Sequence, residues 1–164
     1  MARTKPIESL LHDHTGHLIR RLHQISVAFF LDTARRERLT PTQYAALAAI
    51  GAMPAIDQAT MAGLTALDRS TAGSVLAKLV RRGLVSRRAR RGDQRSFELM
   101  LTARGRRLLG ALQPRLARTN VAILAPLSVA ERRKFSALMG RVVDANNGAS
   151  RVPLERGRKS RRRG

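Results

Sequence analysis

A mainly α-helical fold carrying one small β-hairpin is what this sequence predicts, and three observations lead there. The 164 residues suffice for one domain with an appended arm, at roughly 100 to 200 residues per domain. Apolar residues make up 43% of the chain, yet four Phe, one Tyr and no Trp leave its core aliphatic and Ala-rich, a composition that packs naturally between helices. Apolar side chains recur at helical spacing over most of the length, and only two short segments after Gly83 read as strands.

Residues 1–6 form an N-terminal arm. From Ile7 to Leu31 the positions Ile7, Leu10, Leu11, Leu18, Leu22, Ile25 and Phe29 line one face of an amphipathic helix. Leu39-Thr40-Pro41-Thr42 is a start signal, with a capping Thr and a Pro at the first helical position, for a second helix carrying Tyr44, Leu47 and Ile50 to about Gly51. Met53-Pro54-Ala55 breaks it, and Asp57 caps a short third helix with Met61, Ala62 and Leu64. After a turn at Thr65, Ala66 and Leu67, Asp68 caps a fourth helix that reaches Arg82 and is closed by Gly83. Two helices across so short a turn read as a helix-turn-helix.

Leu84–Arg88 and Phe97–Leu101, either side of the turn-forming Gly92-Asp93, pair as a hairpin, which after such a helix pair makes a wing. Thr102 caps the next helix, whose stripe is Leu108, Leu109, Leu112 and Leu116; Pro114 kinks it, and it continues to about Leu124. Ser128-Val129-Ala130-Glu131 is a capping box opening a last helix with Phe135, Leu138, Met139 and Val142 on its apolar side. The folded unit thus runs over 7–148, with a central module at about 40–101 between flanking helices at about 7–37 and 103–147. From Ala149 the chain holds seven basic residues and one Glu with no core-forming pattern, and a disordered basic tail is expected.

The 32 Lys and Arg against 11 Asp and Glu leave a net charge of +21, which points to a polyanion such as nucleic acid. Cysteine is absent, which excludes disulfides and thiolate metal sites. The uncharged stretch from Leu39 to Ile56 is interrupted by Pro41, Gln43 and Pro54, so no membrane span is expected, and the lack of an apolar leader after Met1 argues for the cytoplasm. No phosphate-binding Gly-Lys-Ser/Thr loop, Gly-x-Ser-x-Gly elbow or His-Glu-x-x-His occurs, and the acids stand mostly singly, so the chain does not read as an enzyme.

Nine basic residues and a single acid, Asp93, lie between Arg69 and Arg95, over the fourth helix and the hairpin. With Ala72, Val75, Leu76, Leu79 and Val80 turned inward, Arg69, Ser70, Thr71, Ser74 and Lys78 share the opposite side and form a DNA-reading face. Small hydroxyls there let the backbone sink into a major groove about 12 Å wide, where Arg bonds guanine. At the hairpin tip Arg90, Arg91 and Arg95 surround Gly92-Asp93 and suit a minor groove. Asp93, repelled by phosphate, is expected to pair with a neighbouring Arg and stiffen the wing. Charge alone fits an alternative equally well: a sequence-neutral nucleic-acid-packing or RNA-binding protein without an effector.

The succession Leu39-Thr40-Pro41-Thr42-Gln43-Tyr44, Asp68-Arg69-Ser70-Thr71, Gly83-Leu84-Val85, Asp93-Gln94-Arg95-Ser96 and Leu101-Thr102-Ala103-Arg104-Gly105 resembles MarR-type transcription regulators over about residues 7 to 147. The resemblance implies a winged helix-turn-helix homodimer whose first and last two helices intertwine, a repressor on an inverted-repeat operator, and release by a small phenolic or aromatic acid. It puts the recognition helix on Asp68 to Arg82 and the wing arginine on Arg95. Gln94, where many members have Arg, and Gly63, a costly residue inside a helix, depart from the pattern. A dimer also follows from burial, since the flanking helices are too apolar to stay free and a lone module of about 60 residues buries little surface.

The resemblance further implies an effector pocket between the dimer helices and the winged module, with His23, Phe29, Phe30 and Tyr44 as lining candidates and Arg20 or Arg21 to meet a carboxylate. Surplus Arg favours an anion, for instance an aromatic carboxylate or its coenzyme A thioester. His12, His14, His17 and His23 cluster in the first helix, but with no Cys and few carboxylates nearby they are read as interface or surface histidines. No metal and no cofactor is called for.

Overall fold

The structure is a computed structural model that describes residues 14–90 and 93–155, the side chains at 90 and 93–96 excepted. Its elements are α1 (Thr15–Thr33), α2 (Pro41–Ala52), α3 (Gln58–Thr65), α4 (Arg69–Arg81), β1 (Val85–Arg90), β2 (Asp93–Leu101), α5 (Ala103–Ile123), α6 (Val129–Ala145) and a 3-10 turn at Asn147–Ala149. This is the expected mainly helical order with one hairpin. The first turns expected from Ile7 lie outside the described residues.

Helix starts sit where capping chemistry puts them. Thr40 and Ser128 each form a reciprocal capping box, with Gln43 and Glu131, while Asp57, Asp68 and Thr102 each accept a backbone N–H from the third helical residue. Ala66 ends α3 in the left-handed region at φ 50°, and Gly83 at φ 65° turns the chain out of α4.

The hairpin is longer than the two apolar runs indicate. β1 and β2 pair antiparallel from Val85↔Leu101 to Ala89↔Phe97, and a bulge between Ala89 and Arg90 shifts the register toward the tip. A third segment joins them: Leu99 N–H donates to Ile56 O at 2.8 Å and Ala55 N–H to Leu99 O at 3.0 Å. Without apolar alternation, that short bridge gave no strand signal.

The core lies among α2, α3, α4, the hairpin and the first half of α5. Leu39, Leu47, Ile50, Met61, Leu76, Leu79, Leu84, Leu99 and Leu112 are almost wholly buried there. α5 reaches the hairpin by a close backbone approach, because a Cβ at Gly105 would stand 2.1 Å from the carbonyl oxygen of Leu84. α1 packs on α5, where the Thr33 and Thr119 hydroxyls meet at 2.7 Å. Neither α1 nor α6 buries a single residue. Leu18, Ile19, Ile25 and Phe29 on α1, and Leu138, Met139, Val142 and Val143 on α6, are exposed.

At the start of the segment read from sequence as a basic tail, residues 149–155 are described and make specific hydrogen bonds. The Asn147 side chain accepts from Leu154 N–H at 2.8 Å and donates to Leu154 O at 3.0 Å, and Glu155 N–H donates to Gly63 O on α3 at 2.8 Å. Two bonds from the Asn147 side chain and one backbone bond to α3 hold this segment, and none of them leaves a mark in the apolar pattern. Among the described residues no helix is long and apolar enough to cross a membrane.

Candidate nucleic-acid interface

α4 turns Ala72, Val75, Leu76 and Leu79 into the core and leaves Arg69, Ser70, Ser74 and Lys78 exposed along the other side, as the helical spacing requires. Val80 is only half-buried. Thr71 differs from its four companions on that face: its N–H donates to Asp68 Oδ1 at 2.9 Å and its hydroxyl to Asp68 Oδ2 at 2.6 Å. These bonds, the hydroxyl's first, hold the Asp68 carboxyl below the usual carboxylate range. Thr71 therefore spends its proton on the cap and keeps only acceptor capacity toward a ligand.

Beside this face runs an open groove of about 420 Å³ between α4 and the first turn of α2, lined by Thr40, Thr42, Gln43, Ser70, Thr71, Ser74, Val75 and Lys78. Five hydroxyls and one ammonium group make it polar and electropositive. Thr40 and Gln43 are fixed by their capping box, Gln43 N–H to Thr40 Oγ1 and Thr40 N–H to Gln43 Oε1, both at 3.2 Å. Sequence reading took Thr40 for a cap alone; that α2 begins alongside α4 is decided by the packing of three helices.

The far end of α4 is fastened by Arg82, which donates to Arg38 O at 3.0 Å and to Glu37 O. Arg115 of α5 holds the same turn, through the Glu37 carboxylate and Thr33 O. The end of α4 is thus tied through one turn, 34–38, to both α1 and α5. Nothing in the spacing of Arg82 or Arg115 marked them, since each meets a partner 44 or more positions away.

In the wing, Arg87 and Arg88 are exposed on β1. Arg90, Asp93 and Arg95 lie on the paired strands near the tip, with Arg90 opposite Asp93 in the register. Their side chains, Arg91 as a whole, and with them the expected pairing of Asp93, lie outside the described residues.

Of the effector candidates, Phe30 and Tyr44 come together, ring centroids 5.7 Å apart at 57°, both half-buried against the core. Burial raises the Tyr44 hydroxyl above its ordinary pKa. Arg20, His23 and Phe29 are exposed on α1. Neighbours on a helix diverge by about 100°, so Phe29 and Phe30 serve different faces. Among the described residues no three His, Cys, Asp or Glu gather closely enough to hold a metal.

A helix-turn-helix whose second helix bares a basic, hydroxyl-rich side, followed by an arginine-bearing hairpin, defines a winged-helix protein. Comparison with known proteins gives its kinship. The MarR family model matches residues 39–97. The transcriptional regulator HosA of Escherichia coli O111:H- is 32% identical over 127 residues, 75% of this chain and 94% of HosA. The crystal structure of the PcaV transcriptional regulator from Streptomyces coelicolor, in complex with its natural ligand, superposes with a TM-score of 0.75 at 40% identity over 88% of this chain and 99% of PcaV. The transcriptional repressor CouR, bound to a 23-mer DNA duplex, gives 0.79 at 25% identity over 85% of this chain and 99% of CouR. The chain belongs to the MarR family and is a transcriptional regulator.

Proposed function

We propose that this regulator is a homodimeric repressor that grips an inverted-repeat operator and lets go when a small anionic aromatic ligand binds. The observation that carries the reading is the exposed side of α4, where Arg69, Ser70, Ser74 and Lys78 project beside a hydroxyl-lined groove while the apolar side of the same helix is locked in the core. Arg69 and Ser70 read base edges in the major groove, Thr40, Thr42 and Lys78 take phosphates at its rim, and Arg90, Arg91 and Arg95 of the wing enter the adjoining minor groove. Two copies joined through α1, α5 and α6 set their reading helices about 34 to 36 Å apart, one turn of duplex.

That CouR is a repressor solved on DNA, and PcaV a regulator solved with a ligand, supports both halves of the reading. The Phe30–Tyr44 pair offers aromatic stacking, and Arg20 or Arg21 with His23 and Phe29 on α1 supply a cation and further apolar surface once a partner closes over them. A phenolic acid or its coenzyme A thioester fits that chemistry.

Selection of duplexes from a randomised pool, followed by competition at fixed salt, tests the DNA half. An inverted repeat preferred over random duplex by about 10³-fold or more is expected. Affinity that falls with salt for all sequences alike would mark a sequence-neutral packing protein instead. For the effector, a panel of aromatic acids and their thioesters is screened by thermal shift, and a binder is expected to raise the melting temperature and release the duplex.

A further inference from the structure

Among the described residues every buried apolar side chain lies between Ala34 and Leu116, so the core module begins and ends at those two positions. Outside them stand elements with open apolar faces: α1 buries no residue, nor does α5 beyond Leu116, nor α6. The chain thus enters the module from this outer frame at Ala34 and leaves it at Leu116. How the module tilts against the frame depends on how those two crossings are held.

Arginines tie them together. Arg115, one residue before the second crossing, donates to the Glu37 carboxylate and to Thr33 O at the first, and one turn farther along α5 the Thr119 hydroxyl meets that of Thr33 at 2.7 Å. Arg82, just past the end of α4, donates to Glu37 O and, at 3.0 Å, to Arg38 O. Arg38 stands at φ 48°, a left-handed conformation that a residue with a Cβ adopts at a cost, and the bond from Arg82 helps to hold it. Pro114, with no N–H to offer Gly110 O, interrupts the α5 ladder immediately before Arg115. The clamp therefore sits where α5 is least stiff.

We infer that Arg82 and Arg115 are positioning residues for DNA binding: gripping the 34–38 turn from two sides, they fix the tilt of α4 against the frame of α1, α5 and α6, and so set the half-site spacing that a pair of subunits accepts. The inference rests on the proposed dimer on an inverted repeat. One added base pair turns a half-site by about 35° and moves it by about 3.4 Å, so two rigidly held modules discriminate spacing sharply and two loosely held ones do not.

The full chain first selects duplexes from a randomised pool. The preferred inverted repeat is then remade with one or two base pairs added to or removed from its centre, alongside a duplex holding a single half-site. The parent should bind the shifted repeats at least about tenfold more weakly than the original. Arg82→Ala, and Glu37→Ala, which frees Arg115 yet keeps every positive charge, should each bring that penalty below about threefold, with single-half-site affinity within about threefold of the parent's. Dimerisation by sedimentation and helicity by circular dichroism should stay as in the parent. Each variant is read by itself, so one that fails to fold leaves the other to decide. A spacing penalty as steep as the parent's overturns the inference and leaves the operator reading intact. A loss spread evenly over the single half-site and every spacing would make the clamp merely structural and overturns it too. A parent that selects no inverted repeat, or binds all spacings alike, overturns the operator reading and the inference with it.

Discussion

Arg69, the first residue of α4, is exposed, and both oxygens of the adjacent Asp68 carboxyl accept bonds from Thr71. Arg69→Ala is expected to weaken binding to the selected operator by about 1 to 3 kcal/mol and to relax preference at one base pair, whereas Lys78→Ala weakens all duplexes alike. Equal losses on operator and random duplex for Arg69→Ala in a competition assay would remove it from base reading. Gly105 is a residue of a different kind. It sits so close to the Leu84 carbonyl that any Cβ forces α5 away from the hairpin. Gly105→Ala should destabilise the fold by about 1 to 3 kcal/mol in denaturant unfolding, in the range of overpacked cores. The Leu-Thr-x-x-Gly succession was visible in sequence, and its meaning is steric: Thr102 caps α5 and Gly105 admits the strand.

At the scale of elements, caps and stripes were legible because they are local. Thr40, Asp57, Asp68, Thr102 and Ser128 each bond a backbone N–H three residues ahead, an interaction that sequence spacing specifies completely. Two of these caps give a pH dependence. The Thr71 hydroxyl and N–H hold the Asp68 carboxyl below its usual range, and the Ser128 hydroxyl does the same for Glu131. A carboxyl whose folded pKa is depressed adds stability that is complete above the ordinary carboxylate range, and loses it as pH falls through the lower folded value. Melting temperature should therefore drop as pH falls through the ordinary carboxylate range and below it, and the drop should be shallower in Asp68→Asn, which caps without a titrating group. An Asp68→Asn profile parallel to that of the parent would exclude this contribution. The fastening of α4 by Arg82, and of the 34–38 turn by Arg115, could not be read beforehand: long-range partners are chosen by how helices pack, and an arginine reads the same whether it faces water or a carbonyl.

For the molecule as a whole, the unburied faces of α1 and α6 decide what a single chain lacks. Leu138, Met139, Val142 and Val143 are 44 to 58% exposed along one helix, and Ile19 is 60% exposed on another. Apolar surface of that extent favours a second copy of the chain. Leu138→Glu combined with Val142→Glu should yield a monomer by sedimentation, still helical by circular dichroism. Its operator affinity should fall by about 10² to 10⁴-fold, as bivalent attachment is lost. A variant that stays dimeric would place the interface elsewhere.

Composition, helical period, capping residues and the placement of arginines determined the class of fold, the order of its elements and which side of α4 stays exposed, because each rests on contacts between residues near in sequence or on net charge. Only the tertiary structure decided that the start of α2 borders the exposed side of α4, that Arg82 and Arg115 bind one turn, and that Glu155 is bonded to Gly63. Those contacts join residues tens of positions apart or involve backbone groups every residue possesses, and so they leave no pattern along the chain.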